Sequence, residues 1–260
     1  MADWNSEQYL KFKAQRTQPA IDLAARLSGK THNRDMEIID LGCGPGNSTR
    51  VLKNRFPNAF VIGADNSANM VEKARADNPD IDFIMLDISG DLSEMRGRFD
   101  VVFSNACLQW LPNHAELLPR LFELLRKDGT LAVQIPMNYD EPIHQIIGRV
   151  SESTKWSDKF PEKRIFGTLT QSEYFDILSG MTNDFELWQT TYCHRMPSIE
   201  SIIDWYRSTG LRTYLAALSE EDGAEFIAEI SAELEKEYPK QKNGEIIFRF
   251  PRFFFTAKKK

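Results

Sequence analysis

Cysteine is scarce in this 260-residue chain. Cys43, Cys107 and Cys193 stand far apart, odd in number and without a CxxC pair, which excludes a disulfide framework and argues for a reducing compartment. The histidines His32, His114, His144 and His194 show no metal-ligand spacing, so no metal is expected. Long hydrophobic runs are missing too. No stretch of about 18 apolar residues occurs, and the N-terminal MADWNSEQYLKFKAQRT lacks an apolar signal core; the expectation is a soluble, cytoplasmic protein with no membrane partner. Positive charge is in deficit, with 32 Lys and Arg against 38 Asp and Glu and a net charge of -6. A broad nucleic-acid footprint is thereby disfavoured, which leaves a small molecule as the expected partner. Lys258, Lys259 and Lys260 read as a solvated tail.

What is present suits a packed α/β domain. Hydrophobic residues make up 42% and charged residues 27%, close to globular averages. Apolar runs alternate with helix-period stretches, the mark of βα units on a parallel sheet. Strands are expected at Glu37–Leu41, Phe60–Asp65, Asp82–Leu86, Asp100–Ser104 and Thr130–Ile135, with helices over Asn47–Arg55, Ser67–Ala76 and His114–Arg126. Asn66 or Ser67 would cap the second helix, and Asp128-Gly129 would end the third. Beyond them lie candidate helices at 141–153, 171–180, 198–208 and 220–237 and two strand-like runs, Phe185–Cys193 and Ile246–Ala257. No repeat, low-complexity stretch or long linker divides the chain. The expectation is one domain over residues 1–260: a Rossmann-like seven-stranded, mostly parallel sheet with helices on both faces, the last strand added antiparallel. The N-terminal helix and the helices of 137–245 would form a lid on the acceptor side.

The sharpest local signal is Asp40-Leu41-Gly42-Cys43-Gly44-Pro45-Gly46-Asn47, a strand running into a turn with glycine at alternate positions and then a helix. Glycine permits the tight turn and a close ligand approach. Asn47 stands where a dinucleotide-binding GxGxxG loop needs its third glycine, and no Gly-Lys-Ser/Thr follows, so NAD and Walker-type nucleotide sites are disfavoured. The spacing resembles motif I of the methyltransferases that use S-adenosylmethionine (SAM). Asp65, about 20 residues on, is placed to accept hydrogen bonds from ribose hydroxyls. Asp87 would meet the adenine amino group, and Asn105 closes the fourth strand. All stand at carboxyl ends of strands, where open α/β sheets bind ligands. The candidate cofactor set is Asp40, Gly42, Cys43, Gly44, Gly46, Asn47, Asp65, Asn66, Met70, Asp87, Ile88, Asn105 and Ala106. Taken singly, Asp65 could merely cap a helix and Asp87 open a loop. Cys43 reads as a small residue beside ligand-contacting backbone, with no chemistry assigned.

After the fourth strand, Leu108-Gln109-Trp110-Leu111-Pro112 is the candidate positioning segment, with Gln109 and Trp110 between cofactor and acceptor. That segment, with Asp3-Trp4-Asn5, Tyr9-Leu10, the glycine turn through Thr49, Leu131-Ala132-Val133-Gln134, Ile202-Ile203-Asp204-Trp205 and Phe250-Pro251-Arg252, resembles the trans-aconitate methyltransferase family over nearly the whole chain. The pattern departs at Met137-Asn138-Tyr139-Asp140 and over residues 151–167. The resemblance implies methyl transfer from SAM to a carboxylate of a small unsaturated tricarboxylic acid, giving a monomethyl ester and S-adenosylhomocysteine. Such a carboxylate, of pKa near 4, is already ionised at neutral pH and needs no general base. Its recognition by an acidic protein calls for local cations, arginine above all. Candidates are Arg16, Arg195, Arg207 and Arg212, with Tyr9, Tyr192 and His194 adding hydrogen bonds. His114, after Pro112-Asn113, reads as an exposed first-turn residue and not as a base. Two alternatives stay open: a SAM-dependent methyltransferase for another small organic acid, phenol or amine, and a catalytically silent SAM-binding protein.

Overall fold

A computed structural model describes residues 13–27, 36–160, 167–207 and 209–260. Seven strands form one sheet in the order β3-β2-β1-β4-β5-β7-β6. They are β1 Glu37–Leu41, β2 Phe60–Asp65, β3 Asp82–Met85, β4 Phe99–Asn105, β5 Leu125–Pro136, β6 Phe185–Met196 and β7 Ile246–Lys258. β1 to β5 pair in parallel, and β7 runs antiparallel to β5 with Gln134 opposite Phe254 and Pro136 opposite Arg252. The expected seven-stranded Rossmann-like sheet is therefore what the chain builds. Parallel strands covered on both faces must be apolar throughout, and Ile38, Ile39, Leu41, Val102 and Phe103 are fully buried. β7 changes character along its length. Ile246, Phe248 and Phe250 alternate with exposed Ile247 and Arg249, whereas Arg252 to Phe255 are buried without a break where the strand lies inside the sheet.

The helices are α1 Lys13–Arg26, α2 Asn47–Arg55, α3 Ala68–Asp77, α4 His114–Glu123, α5 Pro142–Ser151, α6 Gln171–Met181, α7 Ile199–Arg207, α8 Arg212–Ala216 and α9 Glu220–Glu237. Their starts follow local chemistry. Ser67 caps α3 by accepting from the Met70 N–H, Thr170 and Glu173 form a capping box on α6, and Ser219 caps α9 ahead of the acidic Glu220, Glu221 and Asp222. Among the described residues no helix is long and apolar enough to cross a membrane.

The chain divides into two compact units. The first, residues 1–136, 166–190 and 252–260, carries β1 to β5, the first part of β6 and the last part of β7 with α1 to α4 and α6; α1 packs against α2 and β5. The second, residues 137–165 and 191–251, holds α5, α7, α8 and α9, with α9 packed on α5 and α7.

Three expectations need correction. Asp128-Gly129 does not end the helix before it, which stops at Glu123; β5 starts at Leu125, paired with Phe99. Asp128 takes a left-handed φ of 65°, and a Cβ on Gly129 would stand 3.0 Å from the Phe99 carbonyl oxygen, so the pair builds an irregularity inside the strand run. Lys259 is no solvated tail: its N–H donates to Gly129 O and its ammonium to Leu125 O at 2.8 Å. α8 has no counterpart among the expected helices, being a single short turn without a side-chain cap.

Candidate active site

The strand order reverses between β1 and β4: from β1 the chain winds outward through β2 and β3, then returns to place β4 on the other side. A crevice opens at the carboxyl ends of strands flanking such a switch point. Here those ends are Leu41-Gly42 and Asn105-Ala106, tied together by the Ser104 hydroxyl, which donates to Leu41 O at 2.9 Å.

The glycine turn is shaped by the crowding beneath it. Gly42, Gly44 and Gly46 all take left-handed φ, at 70°, 54° and 86°. A Cβ on Gly42 would fall 2.1 Å from Cys107 Sγ and one on Gly46 2.7 Å from Asn78 Nδ2, whereas Gly44 faces open space with no atom within 4 Å. A left-handed, side-chain-free backbone exposed at that one residue is a cradle for a ligand. The Gly42 and Cys43 amides both donate to Ala64 O, and the Gly44 amide donates to Asp65 Oδ2 at 2.8 Å. Asp65 Oδ1 accepts the Ser67 N–H at 2.9 Å. One carboxylate thus fixes both the turn and the entry to α3.

Asp40 is fully buried beneath the turn. Its Oδ2 accepts from the Ser48 and Thr49 hydroxyls at 2.6 and 2.7 Å, while Oδ1 has no partner. Burial pushes its pKa up to about 6 against the lowering pull of those two hydroxyls, and nearby Asp65 raises it further. Asp87 is brought beside Asp65 by the Leu86 N–H to Asp65 O bond. Exposed itself, Asp87 is held below the usual carboxylate range by the hydroxyl and amide of Ser89. Met70 and Ile88 are buried, Asn66 is exposed, and Asn47 opens α2. Cys43 is buried and its thiol is driven upward by desolvation, in keeping with no chemistry being assigned to it.

Asn105 presents a buried Oδ1 with no partner. Ala106 takes a left-handed φ of 54°, turning the chain into Leu108–Trp110. There Gln109 Nε2 donates back to Ala106 O at 2.7 Å and its Oε1 is buried without a partner, while Trp110 is 41% exposed. His114 is not the exposed residue expected. Its ring is fully buried, Nε2 donating to Leu108 O at 2.8 Å and Nδ1 accepting from the Tyr174 hydroxyl at 2.6 Å. Burial lowers its pKa, so the ring is neutral and pins the positioning turn from behind.

The substrate candidates are scattered. Tyr9 lies outside the described residues. Arg16 is buried on α1. Tyr192 and His194 stack on one face of β6 with ring centroids 6.2 Å apart, and His194 also meets Trp205, Phe248 and Phe250. Arg195 points the other way, exposed and ion-paired with Glu245 at 2.7 Å. Arg207 pairs with Asp204 on α7 at 3.4 Å, and Arg212 opens α8, half-buried.

Four functional candidates stand out only in the structure: Ser48 and Thr49, which hold Asp40, and the buried pair Gln134 and Arg252, in which a guanidinium Nη1 donates to Gln134 Oε1 at 3.3 Å. A polar residue inside the apolar run Leu131-Ala132-Val133-Gln134-Ile135 and an arginine among phenylalanines were the signals available.

Glycine cradle, ribose-height carboxylate and unpartnered acceptor oxygens fit a cofactor with hydroxyls and cationic centres; together with the strand order they define a SAM-dependent methyltransferase. The matching family model is described as a methyltransferase domain and covers residues 38–129. The chain is 42% identical to proteins named trans-aconitate 2-methyltransferase from Escherichia coli and Shigella flexneri, over 100% of its own length and 99% of theirs. It belongs to that family. A solved structure of Haemonchus contortus phosphoethanolamine N-methyltransferase 2 in complex with S-adenosyl-L-methionine shares the fold, with a TM-score of 0.56 at 17% identity, covering 94% of this chain and 53% of that one.

Proposed function

We propose that this protein methylates one carboxylate of trans-aconitate, giving a monomethyl ester. The supporting observation is the likeness to trans-aconitate 2-methyltransferases along the entire chain, including the post-sheet helices where acceptor contacts are expected. When bound, SAM supplies an electrophilic methyl carbon, which an acceptor carboxylate oxygen takes as the carbon–sulfur pair of electrons returns to sulfur. No proton moves, because the nucleophile is already an anion. The side chains agree with that economy: His114, the histidine nearest the positioning turn in sequence, has both ring nitrogens committed to protein partners.

The protein's task is then alignment and exclusion of water. Gln109 and Trp110 set the angle between acceptor and methyl group, where positioning alone is worth effective molarities of roughly 10⁵ to 10⁸ M. Asp40, the glycine turn, Asp65, Asp87 and Asn105 hold the cofactor. Arg16, Arg195, Arg207 and Arg212, with Tyr9, Tyr192 and His194, supply acceptor contacts; Arg195 and Arg207 would do so by exchanging their ion pairs with Glu245 and Asp204. Residues 1–260 work as one catalytic domain in which the N-terminal helix and the helices of 137–245 act as the acceptor-side lid. The setting is cytoplasmic, in keeping with three free cysteines.

The test is incubation with methyl-labelled SAM and a panel of di- and tricarboxylic acids, phenols and amines. Label in an ester of trans-aconitate is expected; label only in a phenol or amine overturns the reading.

A further inference from the structure

We propose that Arg120 on α4 is a positioning residue for the cofactor's adenine, clamping the turn at residues 87–90 so that the Asp87 carboxylate meets the adenine amino group. The inference rests on the reading of Asp87 as the adenine contact and names what holds that contact in place.

The turn follows β3. Asp87, Ser89 and Gly90 are exposed, and of the four residues Ile88 alone is buried. The Gly90 N–H donates to Asp87 O at 3.1 Å and closes the turn. Inside it the amide and the hydroxyl of Ser89 both donate to Asp87 Oδ1, at 2.9 and 2.6 Å. Ser89 therefore sets the rotation of the carboxylate, and with Oδ1 doubly occupied, Oδ2 is the oxygen left for a donor from a ligand.

A four-residue turn with one apolar anchor belongs to the least stable part of a fold. Arg120 ties it down from outside. Its guanidinium donates to Gly90 O and, through Nη1 and Nη2 at 3.4 and 3.5 Å, to Ser89 O. The helix that carries it packs on β5 and buries Leu117, Leu118 and Leu121, so the guanidinium stands on a fixed platform. Glu116 and Glu123 lie four residues before and three after Arg120, both at helical ion-pairing distance in sequence. The guanidinium nonetheless goes to two carbonyls of one turn, and Glu123 pairs with Arg96. Asp87 and Asp91 bracket the turn with like charge, which a nearby cation offsets. Asp91 is held low first by the amide and hydroxyl of Ser93, and Arg96 and Arg120 add to that pull. The contacts run from Arg120 to the Ser89 and Gly90 carbonyls, from Ser89 to Asp87, and from Asp87 to the ligand. The effect of Arg120 should accordingly fall on the adenine end alone.

Calorimetry with S-adenosylhomocysteine and with S-inosylhomocysteine, in which an oxygen replaces the adenine amino group, reads that end directly. Wild type should favour the first ligand, and Asp87→Ala should abolish the preference. Arg120→Met keeps the stem and removes the donors. It should weaken S-adenosylhomocysteine by about 10-fold and shrink the preference, with the inosyl ligand changed much less. The KM for SAM should rise in step, and kcat at saturating SAM should move far less. Arg120→Lys keeps the charge and a donor, guards against a misfolded variant, and should retain part of both affinity and preference. In the Asp87→Ala background, Arg120→Met should cost S-adenosylhomocysteine almost nothing, because the two residues act through one contact. Wild-type affinity and preference in Arg120→Met overturn the clamp, as does an equal loss for both ligands. A wild type without the preference, or an Asp87→Ala variant that keeps it, removes the Asp87 reading on which the clamp rests, and either is seen before Arg120 is changed.

Discussion

The two halves of the sheet's carboxyl edge differ in the sign of what they offer. Around β1, β2 and β4 the side chains carry acceptors: the Asp40 and Asn105 oxygens without partners, and the Asp65 and Asp87 carboxylates. Around β5 and β7 the buried side chains carry donors, the Gln134 amide and the Arg252 guanidinium, the latter donating to Gln134 Oε1. On the function proposed above, a cofactor with a sulfonium, an ammonium and two ribose hydroxyls would lie against the first half, and a polycarboxylate against the second. Opposite polarity laid along one edge sorts two reactants that must meet head-on, and it does so in a protein whose net charge of -6 favours neither place for an anion.

The comparison breaks most severely if the acceptor-lined half loses its turn. Gly42→Ala forces a side chain into the left-handed region and onto Cys107 Sγ, 2.1 Å from where its Cβ would stand. The conformational and overpacking costs add to about 2–5 kcal/mol, so urea unfolding should show that loss and SAM binding should fall by at least ~10-fold. In Gly42→Ala with Cys107→Gly, which removes both the Sγ and the Cβ that would stand 2.1 and 2.4 Å away, the packing share should return and the conformational share should not. Full recovery in the double variant would mean that contact alone, and not φ, demands glycine.

A milder blow separates the halves by pH. Because burial raises the Asp40 pKa to about 6, the folded chain holds that proton where the unfolded chain has released it. This group's contribution to stability is therefore greatest below pH 4 and is lost as pH rises from about 4 to 6, by roughly 3 kcal/mol. The ionised form is the one a cationic cofactor prefers. SAM affinity should climb through pH 6 with proton release, while S-adenosylhomocysteine, lacking the sulfonium, should climb less. Asp40→Asn should flatten both the stability limb and the affinity limb; a pH-dependence that survives the substitution would move the effect to another group.

The smallest expected change in rate is at His114. With its ring buried, neutral and doubly bonded, His114→Gln should cost about 1–3 kcal/mol of stability and change kcat less than ~10-fold. A loss of ~10²-fold or more with both ligands bound normally would make it a base and would place proton transfer between the two halves.

How legible each half was in the sequence follows from how its parts are spaced. The cofactor half is written in order between residues 37 and 105, each acid closing a strand just before a turn, so apolar runs and glycines mark it directly. Gln134 and Arg252 stand 118 positions apart and become neighbours only through the register of β7 on β5, which no local pattern records. The burial of His114 is equally invisible locally. Pro112-Asn113 announces a helix start, but the burial comes from Tyr174 on α6, sixty positions on. Asp128-Gly129 carries the signal of a helix end because the same left-handed chemistry serves inside an irregular strand.

The place of β7 inside the sheet, between β5 and β6, also sets an order of assembly. The strands that carry the glycine turn and its acids close against near neighbours in sequence, through short loops whose entropy cost is small. β7 must arrive from far along the chain before β6 can join, a slow non-local event. Until it docks, β5 stands as an unpaired strand edge open to other chains. The nascent protein is therefore expected to own a cofactor cradle before it owns a place for an acid, and to be most prone to aggregation in that interval.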